Sequence, residues 1–202
     1  MQFEQSQTYT NLAKAFAGES QARNRYTIYA KEARKEGQEF LARLFEETAD
    51  NEKVHGEEFF EMLSKHGTQP IENIDINAGY PFVLGNLEQN LDAAARGEWE
   101  EHSEAYPAFA EMAEREGYPD VARLFRQIAS FEAIHHMAFV DALEQVKNGT
   151  LYQKDQKTAW RCLNCGFTFY GEKPLDSCPV CQKGRGWTEG EVARKNIADH
   201  PA

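Results

Sequence analysis

The sequence predicts a mainly α protein: a four-helix bundle with one long crossover, followed by a small domain in which four cysteines hold a metal. Three observations carry this expectation. Apolar residues recur at helical spacing along four segments, the first 148 residues contain a duplication, and all the cysteines fall in two C-x-x-C pairs near the C-terminus.

The duplication sets the frame. Lys35-Glu36-Gly37 recurs as Arg115-Glu116-Gly117, and Ala42-Arg43-Leu44-Phe45 recurs letter for letter as Ala122-Arg123-Leu124-Phe125, both at an offset of 80. Each copy reads as two helices, so the whole reads as four. Repetition at so long an offset marks a repeated helical hairpin rather than a solenoid.

In the first helix the inward stripe reads Leu12, Phe16, Glu19, Arg23, Tyr26 and Ala30. The second reads Leu41, Phe45, Thr48, Glu52, His55, Phe59 and Met62. The third reads Leu87, Leu91, Ala94, Glu98, Glu101, Ala105, Phe109 and Met112, and the fourth Val121, Phe125, Ile128, Glu132, His135, Phe139 and Ala142. Every step is three or four residues, the signature of one helix face. The turns at Gly37 and at Gly117-Tyr118-Pro119 are short, which makes helices one and two, and three and four, antiparallel neighbours. The connection from Gly67 to Pro81 is long and carries Pro70, Gly79 and Pro81. It suits a crossover running the length of the bundle, as in ferritin-like folds.

Each stripe carries acid where leucine would serve. A carboxylate on a buried stripe costs several kcal/mol unless it is paired or coordinates a metal. Here Glu19, Glu52, Glu98, Glu101 and Glu132 share the inward face with His55 and His135. The repeat maps Glu52 and His55 onto Glu132 and His135, and Glu19 onto Glu98 at an offset of 79. One Glu from each of two helices plus Glu-x-x-His from each of the other two is the ligand set of di-iron carboxylate bundles. The i, i+3 spacing puts both side chains of each Glu-x-x-His within reach of one ion. A lone Glu-x-x-His would be read as a misphased helix, but two related copies point to metal.

Two departures from symmetry matter. Glu101 has no acidic counterpart in the first copy, where Gln21 or Ala22 stands, so it is a seventh candidate ligand. The offset also changes from 79 at Glu98 to 80 at Tyr106, which places one extra residue in that span. A helix absorbs such an insertion most simply as a π-bulge, expected here between Glu98 and Tyr106. His66, His102, His136 and His200 fall outside the pattern and read as solvated or packing histidines.

The second module begins after residue 148. A polar linker from Asn148 to Ala159, containing Gly149, leads to Cys162-Leu-Asn-Cys165-Gly and Cys178-Pro-Val-Cys181. Trp160, Phe167, Phe169, Tyr170 and Trp187 give apolar cover to a fold too small for much core, so a metal must staple it. Four thiolates suit iron or zinc. A redox site in the bundle would need electrons, which iron passes singly and zinc cannot.

A net charge of −11 and the lack of a Lys/Arg stripe argue against nucleic acid. The polar Met1–Thr10 segment lacks an apolar signal core or a membrane span, so the expected location is the cytoplasm. No dinucleotide-binding fingerprint occurs, because Gly184 and Gly186 lie outside any strand–helix context.

The motifs together resemble rubrerythrin over residues 1 to about 187. They are Ala-Gly-Glu-Ser-Gln-Ala-Arg-Asn-Arg-Tyr at 17–26, Glu-Thr-Ala-Asp-Asn-Glu-Lys-Val-His at 47–55, Gly-Glu-Trp-Glu-Glu at 97–101, Glu-Ala-Ile-His at 132–135, and the rubredoxin-like cysteine pairs. The resemblance implies a ferritin-like bundle over 1–148 and a rubredoxin-like Fe(Cys)₄ domain with a tail over 149–202. It implies a peroxidase that reduces hydrogen peroxide to water at a non-haem di-iron centre. The rubredoxin-like iron, held by Cys162, Cys165, Cys178 and Cys181, would relay electrons from an external NAD(P)H-linked reductase or a rubredoxin. A homodimer is also implied, one subunit's Fe(Cys)₄ serving the other's di-iron site. The implied di-iron ligands are Glu19, Glu52, His55, Glu98, Glu101, Glu132 and His135, with His55 and Glu101 exchanging at one iron. Tyr26 and Tyr106 match family positions beside the carboxylates. Residues 188–202 receive no assignment. Two other functions fit parts of the sequence. A ferritin-type iron oxidase or storage protein would not need the cysteine domain, and an interaction module with structural zinc would be colourless.

Overall fold

The computed structural model describes residues 2–190. Helices α1 (Gln7–Lys35) and α2 (Glu39–His66) form one antiparallel hairpin. Helices α3 (Leu87–Glu100) and α4 (Tyr106–Glu116) run consecutively and pack on α5 (Pro119–Lys147) to form the other. The ends of these helices are set locally. The Ser6 hydroxyl accepts from Tyr9 N–H, Asn86 and Gln89 make a reciprocal capping box, and Gly37 and Gly117 take left-handed φ of 74° and 88° in the two hairpin turns.

Between α3 and α4 lies a π-helical turn, Glu101–Ala105, in which Tyr106 N–H reaches the Glu101 carbonyl. The one-residue insertion is absorbed where the change of offset placed it. The bulge also rotates everything after it. Past Glu98 the buried positions are Tyr106, Ala110 and Ala113, whereas Glu101, Ala105, Phe109 and Met112, expected from unbroken spacing, are only partly buried. In α1, Phe16 and Arg23 are exposed. The buried stripe is instead Leu12, Ala15, Glu19, Ala22, Tyr26, Tyr29 and Ala33, in steps of three and four.

The crossover between α2 and α3 is pinned along the outside of α1. The Tyr80 hydroxyl donates to the Lys14 carbonyl at 2.9 Å, Gln21 donates to the Pro81 carbonyl, and the Tyr29 hydroxyl donates to the Val83 carbonyl at 2.6 Å.

Apolar side chains gather in two separate layers. One holds Tyr26, Tyr29, Leu41, Phe45, Leu91 and Phe139; the other holds Leu12, Phe59, Tyr106, Val121 and Phe125. On α1, α2, α3 and α5 alike, the residues between these layers are the acidic and histidine positions. The bundle is therefore two oily plugs with a polar slab between them.

Residues 158–190 form a three-stranded antiparallel sheet ordered β2-β1-β3, from β1 (Thr158–Cys162), β2 (Thr168–Gly171) and β3 (Thr188–Gly190). Trp160 is its buried centre and donates from Nε1 to the Gly171 carbonyl at 2.9 Å. Thr188–Gly190, left unassigned by sequence, closes this sheet: Glu189 is buried and accepts from Arg161 Nε at 2.6 Å. His200 and the rest of the tail from 191 lie outside the described residues. Among the described residues, no helix is long and apolar enough to cross a membrane.

Candidate metal centre

The slab brings six of the seven candidate ligands together. Glu19, Glu52, Glu98 and Glu132 are buried to within 1% of completely, and His55 and His135 are also buried. Two groups form, Glu19–Glu52–His55–Glu132 and Glu52–Glu98–Glu132–His135, each with its ligand atoms within 4.8 Å of one another. Glu52 and Glu132 belong to both, so they would bridge two ions.

Hydrogen bonding alone does not account for this convergence. His55 Nδ1 lies 2.9 Å from Glu52, 3.0 Å from Glu132 and 4.0 Å from Glu19. His135 Nδ1 lies 2.8 Å from Glu132, 3.2 Å from Glu52 and 3.5 Å from Glu98. One ring nitrogen carries at most one proton and cannot satisfy three carboxylates. Indeed, one buried carboxylate oxygen in each of Glu19, Glu52, Glu98 and Glu132 has no hydrogen-bond partner among the described residues. Orphaned oxygens facing imidazole nitrogens are what a pair of divalent cations would satisfy, so the residues present fit the metals.

Two tyrosines hold the outer carboxylates. The Tyr106 hydroxyl donates to Glu19 Oε1 at 2.6 Å, and the Tyr26 hydroxyl donates to Glu98 Oε1. The repeat generates this reciprocity, since Tyr26 maps onto Tyr106 as Glu19 maps onto Glu98. His66, His102 and His136 stand apart, bonded to Asp120, the Ala129 carbonyl and the Ala95 carbonyl.

Glu101 is not in either group. From the π-turn it points into a cavity of about 170 Å³ between α1 and the crossover, with its Oε1 beside Gly18. The turn that the insertion creates is what carries it off the stripe.

Without metal, protons must neutralise the slab. Burial and neighbouring carboxylates push Glu19 and Glu101 well above the usual range. Burial and Glu52 raise Glu98 to about 8 against the pull of His135. Burial would lower His55, but Glu132 and Glu52 raise it to about 9. Burial would raise Glu132, but the two histidines hold it at about 2. These shifts fix a pH dependence. Glu98 and His55 keep protons in the fold that the unfolded chain gives up near 4.5 and 6.5, so stability falls as pH rises between those values and the folded ones. Glu132 has completed its contribution by about pH 4.5 and adds no slope above it. From these two groups metal-free protein is therefore expected to lose roughly 4 kcal/mol between pH 6 and 8. Denaturant titration should show this loss for metal-free protein and not for loaded protein, whose carboxylates are already deprotonated.

Sequence reasoning missed Asn51, whose amide lies 3.2 Å from His135 Nε2. With Nδ1 facing the carboxylates, Nε2 carries the proton and needs an acceptor, which Asn51 Oδ1 provides once the amide is turned over. Its only sequence signal is its place next to Glu52. Asn51→Leu is expected to weaken divalent-metal binding about tenfold, the low end for such partners because Asn51 is exposed. Competition with a chelating indicator measures it.

In the second module, Cys162 and Cys181 sulfurs are 3.6 Å apart and Cys165 and Cys178 sulfurs 3.5 Å. That is far from a bonded pair and near the roughly 3.8 Å edge of a tetrahedron with ~2.3 Å metal–sulfur bonds. Two related knuckles build the site. Gly166 N–H bonds the Cys162 carbonyl and Gln182 N–H the Cys178 carbonyl, both at 2.9 Å, with Gly166 and Gln182 at left-handed φ of 76° and 61°. The backbone at Lys183 donates to the Cys181 sulfur and, with Asn164, lowers that thiol to about 6, favouring the thiolate a metal needs.

The family profile described as rubrerythrin matches residues 10–157. This chain belongs to the rubrerythrin family. The profile for the rubrerythrin rubredoxin-like domain matches residues 160–186. Rubrerythrin-1 of Clostridium acetobutylicum is 43% identical over 91% of this chain and 94% of its own length. The rubrerythrin of Nitratidesulfovibrio vulgaris is 39% identical over 87% and 90%. Among solved structures, nigerythrin in its fully reduced, all-ferrous state matches with TM-score 0.61 and 29% identity over 92% of this chain and 90% of that one. A bacterioferritin of Mycobacterium tuberculosis, at 19% identity over 70% of this chain and 86% of its own and TM-score 0.56, shares the fold. The glutamate–histidine slab is thus the rubrerythrin di-iron site, and the four cysteines form the rubredoxin-like site.

Proposed function

We propose that this rubrerythrin-family protein reduces hydrogen peroxide to water in the bundle, with electrons delivered through the four-cysteine site. The observation that carries the reading is the presence on one chain of a buried two-metal carboxylate slab and a tetrathiolate site suited to single electrons. Bound iron supplies two electrons to peroxide, which with two protons gives two waters.

The chain's own residues prepare that reaction. Glu52 and Glu132, which belong to both ligand groups, would serve both ions, and Glu19 and Glu98 are held in place by Tyr106 and Tyr26. The aromatic layers around Phe45 and Phe139 on one side, and Phe59 and Phe125 on the other, keep bulk water from the slab. His55 occupies the first group while Glu101 stands off in its cavity. That arrangement supports an exchange in which His55 serves the reduced state and Glu101 the oxidised one. Neutral imidazole favours ferrous iron, and an added carboxylate favours ferric.

Electron delivery calls for a second copy of the chain. The cysteine domain packs on the α1–α2 turn, with Gly186 against the Gly37 carbonyl and the Tyr152 hydroxyl donating to Gln38 at 2.8 Å. Glu52 lies 14 residues along α2 from Gln38 (52 − 38), about 21 Å at 1.5 Å per residue. A homodimer in which each cysteine domain faces the partner's slab shortens the path. An external NAD(P)H-linked reductase or a rubredoxin in the cytoplasm supplies the electrons.

Rapid mixing of anaerobically reduced protein tests this. Peroxide should reoxidise both centres with all iron retained, and much faster than oxygen does. Faster reaction with oxygen, with ferric iron accumulating beyond the bound complement, would support iron storage instead.

A further inference from the structure

The cavity beside the slab contains a cation without an ion-pair partner among the described residues. Arg25, one turn before Tyr29 on α1, is only 7% exposed. Its Nη1 donates to Gln21 at 3.0 Å and its Nη2 stands 3.5 Å from the Tyr26 hydroxyl, but Nε has no partner among the described residues. Among the described residues no carboxylate lies within ion-pair distance of it. A guanidinium buried without a counterion is costly and persists where something else uses the charge. The glycine at 97 admits it: a Cβ there would sit 3.3 Å from Arg25 Nη2, so the guanidinium tucks against α3 one turn before Glu101.

Glu101 lines the same cavity, together with Gly18, Gln21, Tyr80 and Pro81, and its carboxylate accepts no hydrogen bond among the described residues. An unpaired buried cation and an unpaired carboxylate therefore share one small space. Because a carboxylate already lines it, an external anion is disfavoured there. Arg25 is also the cation that opposes the upward push of burial and of Glu98, Glu132 and Glu52 on the Glu101 carboxyl.

We infer that Arg25 is a positioning residue that holds the Glu101 carboxylate in the cavity, away from the metals, and so sets how readily Glu101 joins them. The guanidinium acts by its charge across the shared cavity, favouring the outside position of the exchanging ligand. Its strength decides how much of the divalent-metal protein keeps Glu101 outside. This rests on the exchange of Glu101 set out above.

A coupling experiment on metal binding, without turnover, tests it. Manganese(II) affinity of the metal-free full chain is measured for the unmodified protein, Arg25→Gln, Glu101→Gln and the double variant. Arg25→Gln should raise affinity by releasing Glu101 to the metals. Loss of a positive charge also favours any cation nearby, and that general effect survives in the Glu101→Gln background. The signature is thus the difference: the Arg25→Gln gain should be roughly tenfold larger when Glu101 is present. Arg25→Lys, which keeps the charge on a less rigid stem, should give a smaller gain and covers the case in which Arg25→Gln does not fold. Equal gains in the two backgrounds, or none, would overturn the inference while leaving the metal centre intact. An unmodified slab that takes up no manganese would overturn the metal reading and this inference with it.

Discussion

Glu132→Ala is expected to empty the bundle of both metals, with iron in the slab falling by more than about 100-fold in affinity, beyond the effect of an outer partner. Glu132, like Glu52, is approached by both histidines, at 3.0 Å from His55 and 2.8 Å from His135, and it belongs to both ligand groups. Removing it takes a ligand from each ion at once. Peroxide reduction should disappear with the metals, while circular dichroism still reports a helical bundle, because the apolar layers above and below do not depend on the slab. Elemental analysis of protein produced in iron-rich medium checks the claim. Retention of two irons in this variant would remove Glu132 from the centre.

Cys178→Ser should separate the two halves of the activity. The cysteine domain has a three-stranded sheet and one central Trp160, too little core to fold without its metal, so loss of one thiolate should unfold residues 158–190. Turnover coupled to a reductase is then expected to fall more than about 100-fold, the scale of losing the electron route. A single oxidation of the chemically reduced slab should stay within about twofold, because no described residue of the cysteine domain belongs to the slab. Stopped-flow and coupled assays on one preparation read both numbers. If the single oxidation fell as far as the coupled rate, the cysteine site would be serving the slab's structure and not its electrons.

The parts of this molecule that sequence revealed are those that repetition marked. Glu52-x-x-His55 gained meaning because Glu132-x-x-His135 repeats it, and the π-turn was visible as the change of offset between Glu98 and Tyr106. What repetition did not mark was hidden. The bulge rotates α4 so that Ala110 and Ala113, not Phe109 and Met112, face inward. In α1 the small residues Ala15, Ala22 and Ala33 fill the stripe while Phe16 is exposed, and a reading that weights side-chain size favours the phenylalanine. Glu101 leaves the ligand groups because the π-turn aims it into the cavity, a direction no spacing rule gives. Asn51 and Arg25 depend on partners distant in sequence: Asn51 meets His135 across the bundle, and Arg25 tucks beneath Gly97. Glu189 looks like the start of a tail until Arg161 pairs with it and β3 closes the sheet.

The most direct test of a slab built around two cations is a Mössbauer spectrum of protein grown on iron-57 and kept as isolated. The expected spectrum holds a coupled pair of carboxylate- and imidazole-bound irons together with a high-spin iron in tetrahedral sulfur, two of the former for each of the latter. A spectrum with only the sulfur-bound iron, from a slab left without metal in iron-replete cells, would contradict it.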